Sequence, residues 1–361
     1  MAGDNAWLEA LGVRHPIFAA PMAGGPSTPE LVAAVSDAGG LGFLGVGYLS
    51  PEDTRATIRR VRALTDAPFG VNVFIPEEPK GDARHAVIAM KTWLREWVDD
   101  PAVAAEIDAI DPRFPTFAEF EAQMNVILEE RVPVLSFTFG CPEADTIGRW
   151  KESGACVIGT ATTPEEAVAL ERAGCDAVVA QGYEAGGHRG SFLPIDETRR
   201  IGTMALVPQV VDRVRIPVIA AGGIMDGRGI VACLALGAVA VQMGTSFLVT
   251  DESGAHPAYK RAVMEWRDRG TALTRSFSGR HARGIRNAFI EAVDREEMDI
   301  PPYPLQNTLT QPIRRRAAAE GDAERMSLWA GQGYPMAKSM PAAERVRELV
   351  QQMERVKSLL R

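Results

Sequence analysis

Short apolar runs alternate with amphipathic stretches at least eight times in this sequence. The runs lack polar–apolar alternation, which is typical of strands buried on both faces of a parallel sheet. Eight strand–helix units close into a barrel more readily than they form an open doubly wound sheet. We therefore predict an α/β fold, a TIM (β/α)8 barrel. The runs are Ile17–Ala20, Leu41–Leu44, Gly70–Phe74, Pro133–Phe137, Ala155–Gly159, Asp176–Ala180, Pro217–Ala220 and Ala238–Met243.

Ser/Thr-Pro pairs precede three of the amphipathic stretches. They are Thr28-Pro29, Ser50-Pro51 and Thr163-Pro164. A hydroxyl residue at the N-cap followed by proline at the first helical position is a typical helix start. Thr163 with Glu166 also predicts a capping box.

Two stretches do not follow the repeat. Pro79 to Glu130 carries additional helical sequence, and from Ser253 to about Trp329 the strand signal stops and basic, polar and proline-rich sequence takes over. We predict that residues 1–252, together with a C-terminal helix in about 330–361, form the barrel. Residues 253–329 are predicted to form a cap, the substrate domain, over its mouth.

Charge and composition limit the partners of the protein. The chain has 361 residues and a formal net charge of −8, which argues against binding to nucleic acid or to an anionic membrane. We see no signal peptide and no apolar run long enough to span a membrane, so a cytoplasmic protein is expected. The histidines and cysteines lack metal-site spacing, so no metal is predicted. The oligomeric state stays open, with a homodimer among the alternatives.

A glycine-rich stretch with one histidine follows the sixth predicted strand. Residues 181–190, Gln-Gly-Tyr-Glu-Ala-Gly-Gly-His-Arg-Gly, contain four glycines in ten positions, which lets the backbone lie close against a flat ligand. His188 is the side chain best suited to move a proton or to pair with an anion near neutral pH. Its neighbour Arg189 is expected to be solvated. A surface turn with a solvated histidine is the structural alternative.

Two further glycine turns follow predicted strands seven and eight. Gly222 and Gly223 follow one strand, and Gly244 and Thr245 follow the other, so that Gly244 stands 22 positions after Gly222. In (β/α)8 barrels the loops after these strands hold phosphate, and backbone N–H groups bind it without a basic side chain. The pair of turns therefore predicts a phosphate site.

Small, thioether and amide side chains are expected at the same end of the barrel. Pro21-Met22-Ala23 follows the first strand and suits the face of an aromatic ring. Asn72, Gln181 and Gln242 lie at or near the ends of three strands. Amides in this arrangement suit a heterocycle such as the pyrimidine part of a flavin.

One dinucleotide-like motif does not fit its context. Gly40-Leu41-Gly42-Phe43-Leu44-Gly45 matches GxGxxG, which requires a preceding strand and a following helix. Here a helix precedes the motif, and its residues form the second predicted strand. A Rossmann fold is therefore rejected.

Together these motifs resemble the nitronate monooxygenase family, class I, formerly called 2-nitropropane dioxygenase. Tyr303-Pro304-Leu305-Gln306-Asn307 and residues 328–332 resemble it too, so the likeness covers nearly the whole chain. Ala19 departs from the pattern, because glutamine is expected there. The motifs of the barrel half that carry the resemblance are Pro21-Met22-Ala23-Gly24-Gly25, Val71-Asn72-Val73-Phe74, Ser136-Phe137-Thr138-Phe139-Gly140, Gln181 to Gly190, Ala221-Gly222-Gly223-Ile224 and Gln242-Met243-Gly244-Thr245.

The resemblance implies an FMN enzyme that oxidises alkyl nitronates with O2 and so detoxifies nitro compounds, propionate 3-nitronate being the usual substrate. It implies that His188 is the catalytic residue. A nitronate is a small anion, and His188 and Tyr303 are predicted to bind it. The predicted cofactor-binding residues are Pro21, Met22, Ala23, Asn72, Gln181, Gly186, Gly187, Gly222, Gly223, Gln242, Met243, Gly244 and Thr245.

Two alternatives remain open at this stage. An FMN-dependent enoyl-acyl-carrier-protein reductase shares the barrel motifs, but it would need room for NAD(P)H and an acyl-carrier thioester. A flavin-binding protein without turnover is the third hypothesis, because a fold does not determine a function.

Overall fold

The computed structural model describes residues 2–77, 81–194 and 200–360. Eight strands pair in parallel in the order β1-β9-β8-β6-β5-β4-β3-β2, and a parallel bridge between Phe18 and Leu41 brings β1 back to β2. The predicted TIM barrel is confirmed, and each of its strands lies on one of the predicted runs. The strands are β1 Ile17–Ala19, β2 Gly42–Gly45, β3 Phe69–Phe74, β4 Val134–Thr138, β5 Cys156–Ala161, β6 Ala177–Gln181, β7 Gly187–His188, β8 Val218–Ala221, β9 Ala240–Met243, β10 Thr271–Thr274 and β11 Ala282–Ile285.

Helices surround the barrel on its outer face, as repeated βα units require. None of the helices in the described ranges is both long and apolar enough to cross a membrane. The helices are α1 Ala2–Ala10, α2 Pro29–Asp37, α3 Pro51–Leu64, α4 Arg84–Trp97, α5 Pro101–Ala109, α6 Phe117–Glu129, α7 Ala144–Glu152, α8 Pro164–Arg172, α9 Thr203–Val211, α10 Gly227–Ala235, α11 Thr245–Leu248, α12 Pro257–Glu265, α13 Ala288–Arg295, α14 Leu305–Leu309, α15 Gln311–Glu320 and α16 Ala342–Leu359.

The three predicted N-caps are confirmed. The side chains of Thr28, Ser50 and Thr163 each accept a hydrogen bond from the backbone N–H three residues later. Only one of the two hydrogen bonds of the predicted capping box is present, the one from the backbone N–H of Glu166 to the Thr163 hydroxyl. The carboxylate of Glu166 accepts from Thr162 and from the backbone of residues 192–193, not from the N-cap N–H. A buried carboxylate takes the donors that tertiary packing brings to it.

The amino-terminal end of the barrel is closed by aromatic packing. Helix α1 places Trp7 6.3 Å from Phe18, and Phe18 lies 6.0 Å from Phe43, both measured between ring centroids. Leu8 is buried in the same cluster. Because this end is filled with apolar side chains, the carboxyl ends of the strands form the open mouth, where barrel sites lie.

A second sheet lies in the region where the strand signal was expected to stop. Strands β10 and β11 pair antiparallel, and β11 also pairs antiparallel with β7. The expectation of no strands between Ser253 and Trp329 is therefore wrong. The sequence pattern failed there because these are short strands whose burial comes from long-range pairing.

The helices inserted after β3 pack against the chain beyond β10. Met90 and Leu94 of α4 and Ile107 of α5 share one buried cluster with Phe277 and Phe289. The rings of Phe277 and Phe289 stack with centroids 4.5 Å apart. The two stretches that interrupt the βα repeat thus bury their apolar faces against each other.

Glu130, directly after α6, is a buried carboxylate at the centre of an arginine cluster. It accepts hydrogen bonds from Arg55 at 3.0 Å, Arg59 at 2.9 Å and Arg62 at 2.8 Å. Burial alone would raise the pKa of Glu130, but the bonds from Arg59 and Arg55 outweigh it, and the pKa is lowered. A carboxylate with a lowered folded-state pKa stabilises the fold above its unfolded pKa and loses that effect as the pH falls through the folded value.

We expect Glu130→Gln to lower the free energy of unfolding at pH 7 by about 2 kcal/mol, since several charge-assisted hydrogen bonds are lost. The difference from wild type should shrink below about pH 4. Urea denaturation at pH 7 and at acid pH measures both effects. Glu129→Gln is the matched control, because Glu129 is 63% exposed and its loss should change stability by less than about 0.5 kcal/mol. Equal effects of the two substitutions at pH 7 would contradict the prediction.

Candidate active site

His188 is held on a strand. His188 pairs with Ala282 of β11. The residue before it, Gly187, has a φ of +72°, a conformation that favours glycine. A Cβ on Gly187 would have no neighbour within 4 Å, so this position borders open space. The end of the glycine-rich stretch is therefore a strand paired with β11, which we call the platform, and not a surface turn.

The hydrogen bonds of His188 indicate which ring nitrogen carries the proton. Its Nε2 atom lies 2.9 Å from the Oγ of Ser278, and that hydroxyl also lies 3.1 Å from the carbonyl oxygen of Arg280. A carbonyl only accepts, so the Ser278 hydroxyl donates to it and receives the His188 Nε2–H. This assignment leaves the Nδ1 lone pair unprotonated and without a partner in the described part of the chain.

Three aromatic rings enclose His188, which we call the aromatic enclosure. The centroids of Phe139, Tyr303 and Trp329 lie 5.7, 5.6 and 5.6 Å from that of the imidazole. Burial, together with the nearby charges of Arg280 and Arg314, lowers the pKa of His188 to about 3. The imidazole is therefore neutral near pH 7, so its free nitrogen can accept a proton but the ring does not pair with an anion as a cation.

Phe139 has a backbone conformation that is rare for a residue with a side chain. Its φ is +80°, and the guanidinium of Arg280 stacks over its ring at 4.2 Å. Arg280 also forms an ion pair of 2.5 Å with Glu77. Non-glycine residues with positive φ cluster at functional sites, where the surrounding structure compensates the strain.

Arg189 is buried, and the expectation that it is solvated is wrong. Its side chain is 7% exposed and donates to the carbonyl oxygens of Gln181 at 3.1 Å and Gly182 at 2.6 Å. Burial lowers its pKa to about 10. The guanidinium donates its hydrogen bonds to buried backbone carbonyls and so has a structural role, which the local sequence does not reveal.

Gln181 supports the same platform. Its amide nitrogen donates to the His188 carbonyl at 3.0 Å, and its amide oxygen accepts from Gly190 at 2.9 Å. Arg283 of β11 donates to the Tyr183 carbonyl at 2.8 Å. Two side chains from different sheets thus fix the loop that carries His188.

The turns after β8 and β9 present backbone donors. Among the described residues we find no acceptor for the N–H groups of Gly222, Gly223, Gly244 and Thr245. Gly222 and Gly223 have φ of +118° and +70°. A Cβ on Gly222 would lie 2.8 Å from the Thr203 hydroxyl. The two turns therefore form a cradle of free N–H groups with the properties of an anion site.

The C-terminal helix α16 supports both turns from behind. Arg345 is 1% exposed, donates to the Ser246 hydroxyl at 3.0 Å, and also donates to the carbonyl of Met225. The side chain of Gln352 accepts from the backbone of Gly227 at 3.0 Å. A buried guanidinium thus lies directly behind the cradle, which sequence analysis did not identify.

The remaining predicted residues lie at the barrel mouth. A Cβ on Gly244 would lie 3.9 Å from the sulfur of Met22, which places Pro21-Met22-Ala23 beside the β9 turn. Asn72 donates to the Ser136 hydroxyl at 2.9 Å. In the described ranges the Gln242 amide has no hydrogen-bond partner, so it is open to a ligand.

The segment after Trp329 closes the site between the turns and the platform. Gly331 donates to the Thr245 hydroxyl at 3.0 Å, and a Cβ on Gly186 would lie 2.4 Å from the Gly331 nitrogen. Gly186 is required here for close backbone approach. The sequence analysis singled out residues 328–332 as a motif, but it did not identify the roles of Trp329 and Ser278.

A cavity of about 420 Å³ adjoins the aromatic enclosure and is lined in part by Phe139, Glu77 and Cys141. A larger cleft of about 680 Å³ lies at the opposite end, beside Phe69 and Pro133 at the start of β3 and β4. The smaller cavity shares Phe139 with the aromatic enclosure, and the larger cleft shares none of its residues.

Comparisons with known proteins agree with this geometry. Residues 5–352 match the profile of the family described as nitronate monooxygenase. A probable nitronate monooxygenase of Staphylococcus haemolyticus is 44% identical, covering 99% of each chain. The crystal structure of a nitroalkane oxidase from Streptomyces ansochromogenes superposes with a TM-score of 0.89 at 44% identity, covering 99% of this chain and 100% of that one. FabK from Thermotoga maritima has a TM-score of 0.76 at 35% identity, covering 98% of this chain and 97% of that one.

The barrel, its site and these relatives define an enzyme of the flavin-dependent oxidoreductase class. Within that class, the chain belongs to the nitronate monooxygenase family. The resemblance deduced from the motifs is thereby confirmed.

Proposed function

We propose that this enzyme binds FMN and oxidises alkyl nitronates with O2, with propionate 3-nitronate as a substrate. The observation that carries the proposal is the position of His188, which is neutral, enclosed by three rings and adjacent to open space at Gly187. An unprotonated ring nitrogen beside open space suits a small carbon acid or its anion. Family membership supports the same reaction class.

The residues present fit FMN. The free N–H groups of the turns at Gly222–Gly223 and Gly244–Thr245 would hold one phosphate, which is what FMN carries. Met22 would lie against the ring system, and the open amide of Gln242 would meet its polar edge. When bound, the flavin would accept an electron from the substrate and pass it to O2.

The other groups of the site would bind and orient the substrate. Tyr303 would donate to the nitro oxygens, since burial raises its pKa and keeps the hydroxyl protonated. His188 Nδ1 would take the proton from a neutral nitroalkane. We also propose that residues 253–329 act as the cap that excludes water from these groups.

An enoyl reductase is the second candidate, and less supports it. The enoyl reductase domain from the macrolactin cluster of Bacillus amyloliquefaciens is 14% identical with a TM-score of 0.64, a likeness of fold alone.

Anaerobic reduction of the bound flavin tests the proposal. We expect propionate 3-nitronate and ethyl nitronate to bleach the flavin absorbance, and NAD(P)H to leave it unchanged. Mass spectrometry of the released cofactor should find FMN. Bleaching by NAD(P)H alone would support the reductase, bleaching by neither would support a non-catalytic protein, and release of FAD would contradict the single phosphate site.

A further inference from the structure

Arg345 of α16 is a buried guanidinium that is bonded to both turns of the cradle. It is 1% exposed, its Nε atom donates to the Ser246 hydroxyl at 3.0 Å, and its Nη2 atom donates to the carbonyl of Met225. Ser246 directly follows Thr245 in the turn after β9. Met225 lies two positions after Gly223 in the turn after β8. One planar side chain thus joins two turns that come from different strands.

The charge of Arg345 is already paired within the protein. Its Nη1 atom lies 2.5 Å from a carboxylate oxygen of Glu348, three positions later on the same helix. The same carboxylate also pairs with Lys338. Each of the three guanidinium nitrogens therefore has a protein acceptor, and Arg345 acts on the two turns through the geometry of its hydrogen bonds.

Helix α16 is fixed against the chain that follows each turn. The side chain of Gln352 accepts from the backbone of Gly227 at 3.0 Å, and a Cβ on Gly227 would lie 2.4 Å from the backbone carbonyl carbon of Gln352. At the start of the helix, the N–H of Ala342 donates to the carboxylate of Glu252 at 2.8 Å. Arg345 lies between these two contacts in the sequence of α16, so its backbone is held relative to both turns.

We propose that Arg345 is a positioning residue for the flavin phosphate, which fixes the separation between the backbone N–H groups of the two turns from behind. Such donors bind an anion strongly when several of them converge on one point. Groups that orient the binding groups from outside are therefore expected to contribute to affinity. This inference rests on the proposed function, because the phosphate is that of FMN.

Equilibrium dialysis of the purified holoenzyme against FMN and, separately, against riboflavin tests this role. Riboflavin carries the same ring system without the phosphate, so the difference between the two ligands reports on the turns. Arg345→Met should raise the Kd of FMN by about 10- to 100-fold and change that of riboflavin by less than about threefold. Arg345→Lys should recover only part of the FMN affinity, because an ammonium group lacks the planar fork that reaches two acceptors. Arg347→Met is the matched control, since Arg347 is exposed on the same helix, and it should behave as wild type.

A parallel loss of FMN and riboflavin affinity in Arg345→Met would overturn the proposal, because loosening of the whole fold weakens both ligands. Unchanged FMN affinity would overturn it as well. If Arg345→Met does not fold, Ser246→Ala decides by the same comparison, because it removes one acceptor and leaves the guanidinium in place. A rise in the Kd of FMN of about three- to tenfold with riboflavin unchanged supports the proposal, and equal losses or no loss overturn it.

The binding measurement needs no turnover and is independent of the proposed reaction. A wild type that holds FMN but oxidises no nitronate would contradict the reaction, and the dialysis would still decide the role of Arg345. A wild type that binds riboflavin as tightly as FMN would contradict the phosphate site and overturn the role of Arg345 with it.

Discussion

Replacement of His188 by alanine is expected to slow flavin reduction by neutral nitroalkanes by about 100- to 10,000-fold, the usual contribution of a general base. The unprotonated Nδ1 atom is the group in the enclosure that is free to take the proton. The rate of flavin reduction by preformed nitronates should fall much less, because a nitronate has already lost that proton. FMN should remain bound, since the cradle belongs to other loops.

Anaerobic stopped-flow with each substrate form gives both rates. His256→Ala serves as the control, because His256 only caps α12 and should leave both rates unchanged. Ser278→Ala should reduce the rate with neutral substrates while retaining some activity, since it removes the partner that orients the ring. An equal loss for both substrate forms in His188→Ala would discard the base role, and unchanged rates would remove His188 from the mechanism.

The lowered pKa of His188 also has a consequence for stability. With a folded pKa of about 3 and an unfolded value near 6.5, the unfolded chain binds the additional proton between these values. Folding therefore loses stability as the pH falls below about 6.5. His188→Ala should remove this part of the acid sensitivity, which urea midpoints of the apoprotein between pH 7 and pH 5 would measure.

Gly223→Glu is expected to yield a folded protein that is largely free of flavin. Gly223 has φ of +70°, and a Cβ there would lie 3.1 Å from the Cβ of Glu184. The new carboxylate would enter the cradle of N–H groups and repel a phosphate. Flavin absorbance per protein after purification measures the occupancy.

Gly154→Glu is the matched control for Gly223→Glu. Gly154 has φ of +91°, and a Cβ there meets nothing within 4 Å, so this variant carries the same backbone strain away from the mouth. It should bind FMN normally. Circular dichroism of both variants establishes folding, and a normal FMN content in Gly223→Glu would refute the phosphate site.

Local sequence patterns were sufficient to predict the barrel. Each strand is an apolar run because both of its faces are buried, and each helix start at Thr28, Ser50 and Thr163 carries its own cap. The GxGxxG match at Gly40–Gly45 was correctly rejected, because β2 begins within it after a helix. Apolar strand runs, helix caps and glycine turns depend on neighbours within a few residues, so the sequence alone reveals them.

Only the tertiary structure decided the electrostatics of the site. The neutrality of His188 depends on its burial and on the charges of Arg280 and Arg314. The side chain of Arg189 is buried against backbone carbonyls that no motif marks. Arg345 reaches the β8 turn across 120 positions. The sequence by itself determined which residue types stand at the strand ends. Burial and long-range packing determined which of them are charged, which are already bonded, and which remain open to a ligand.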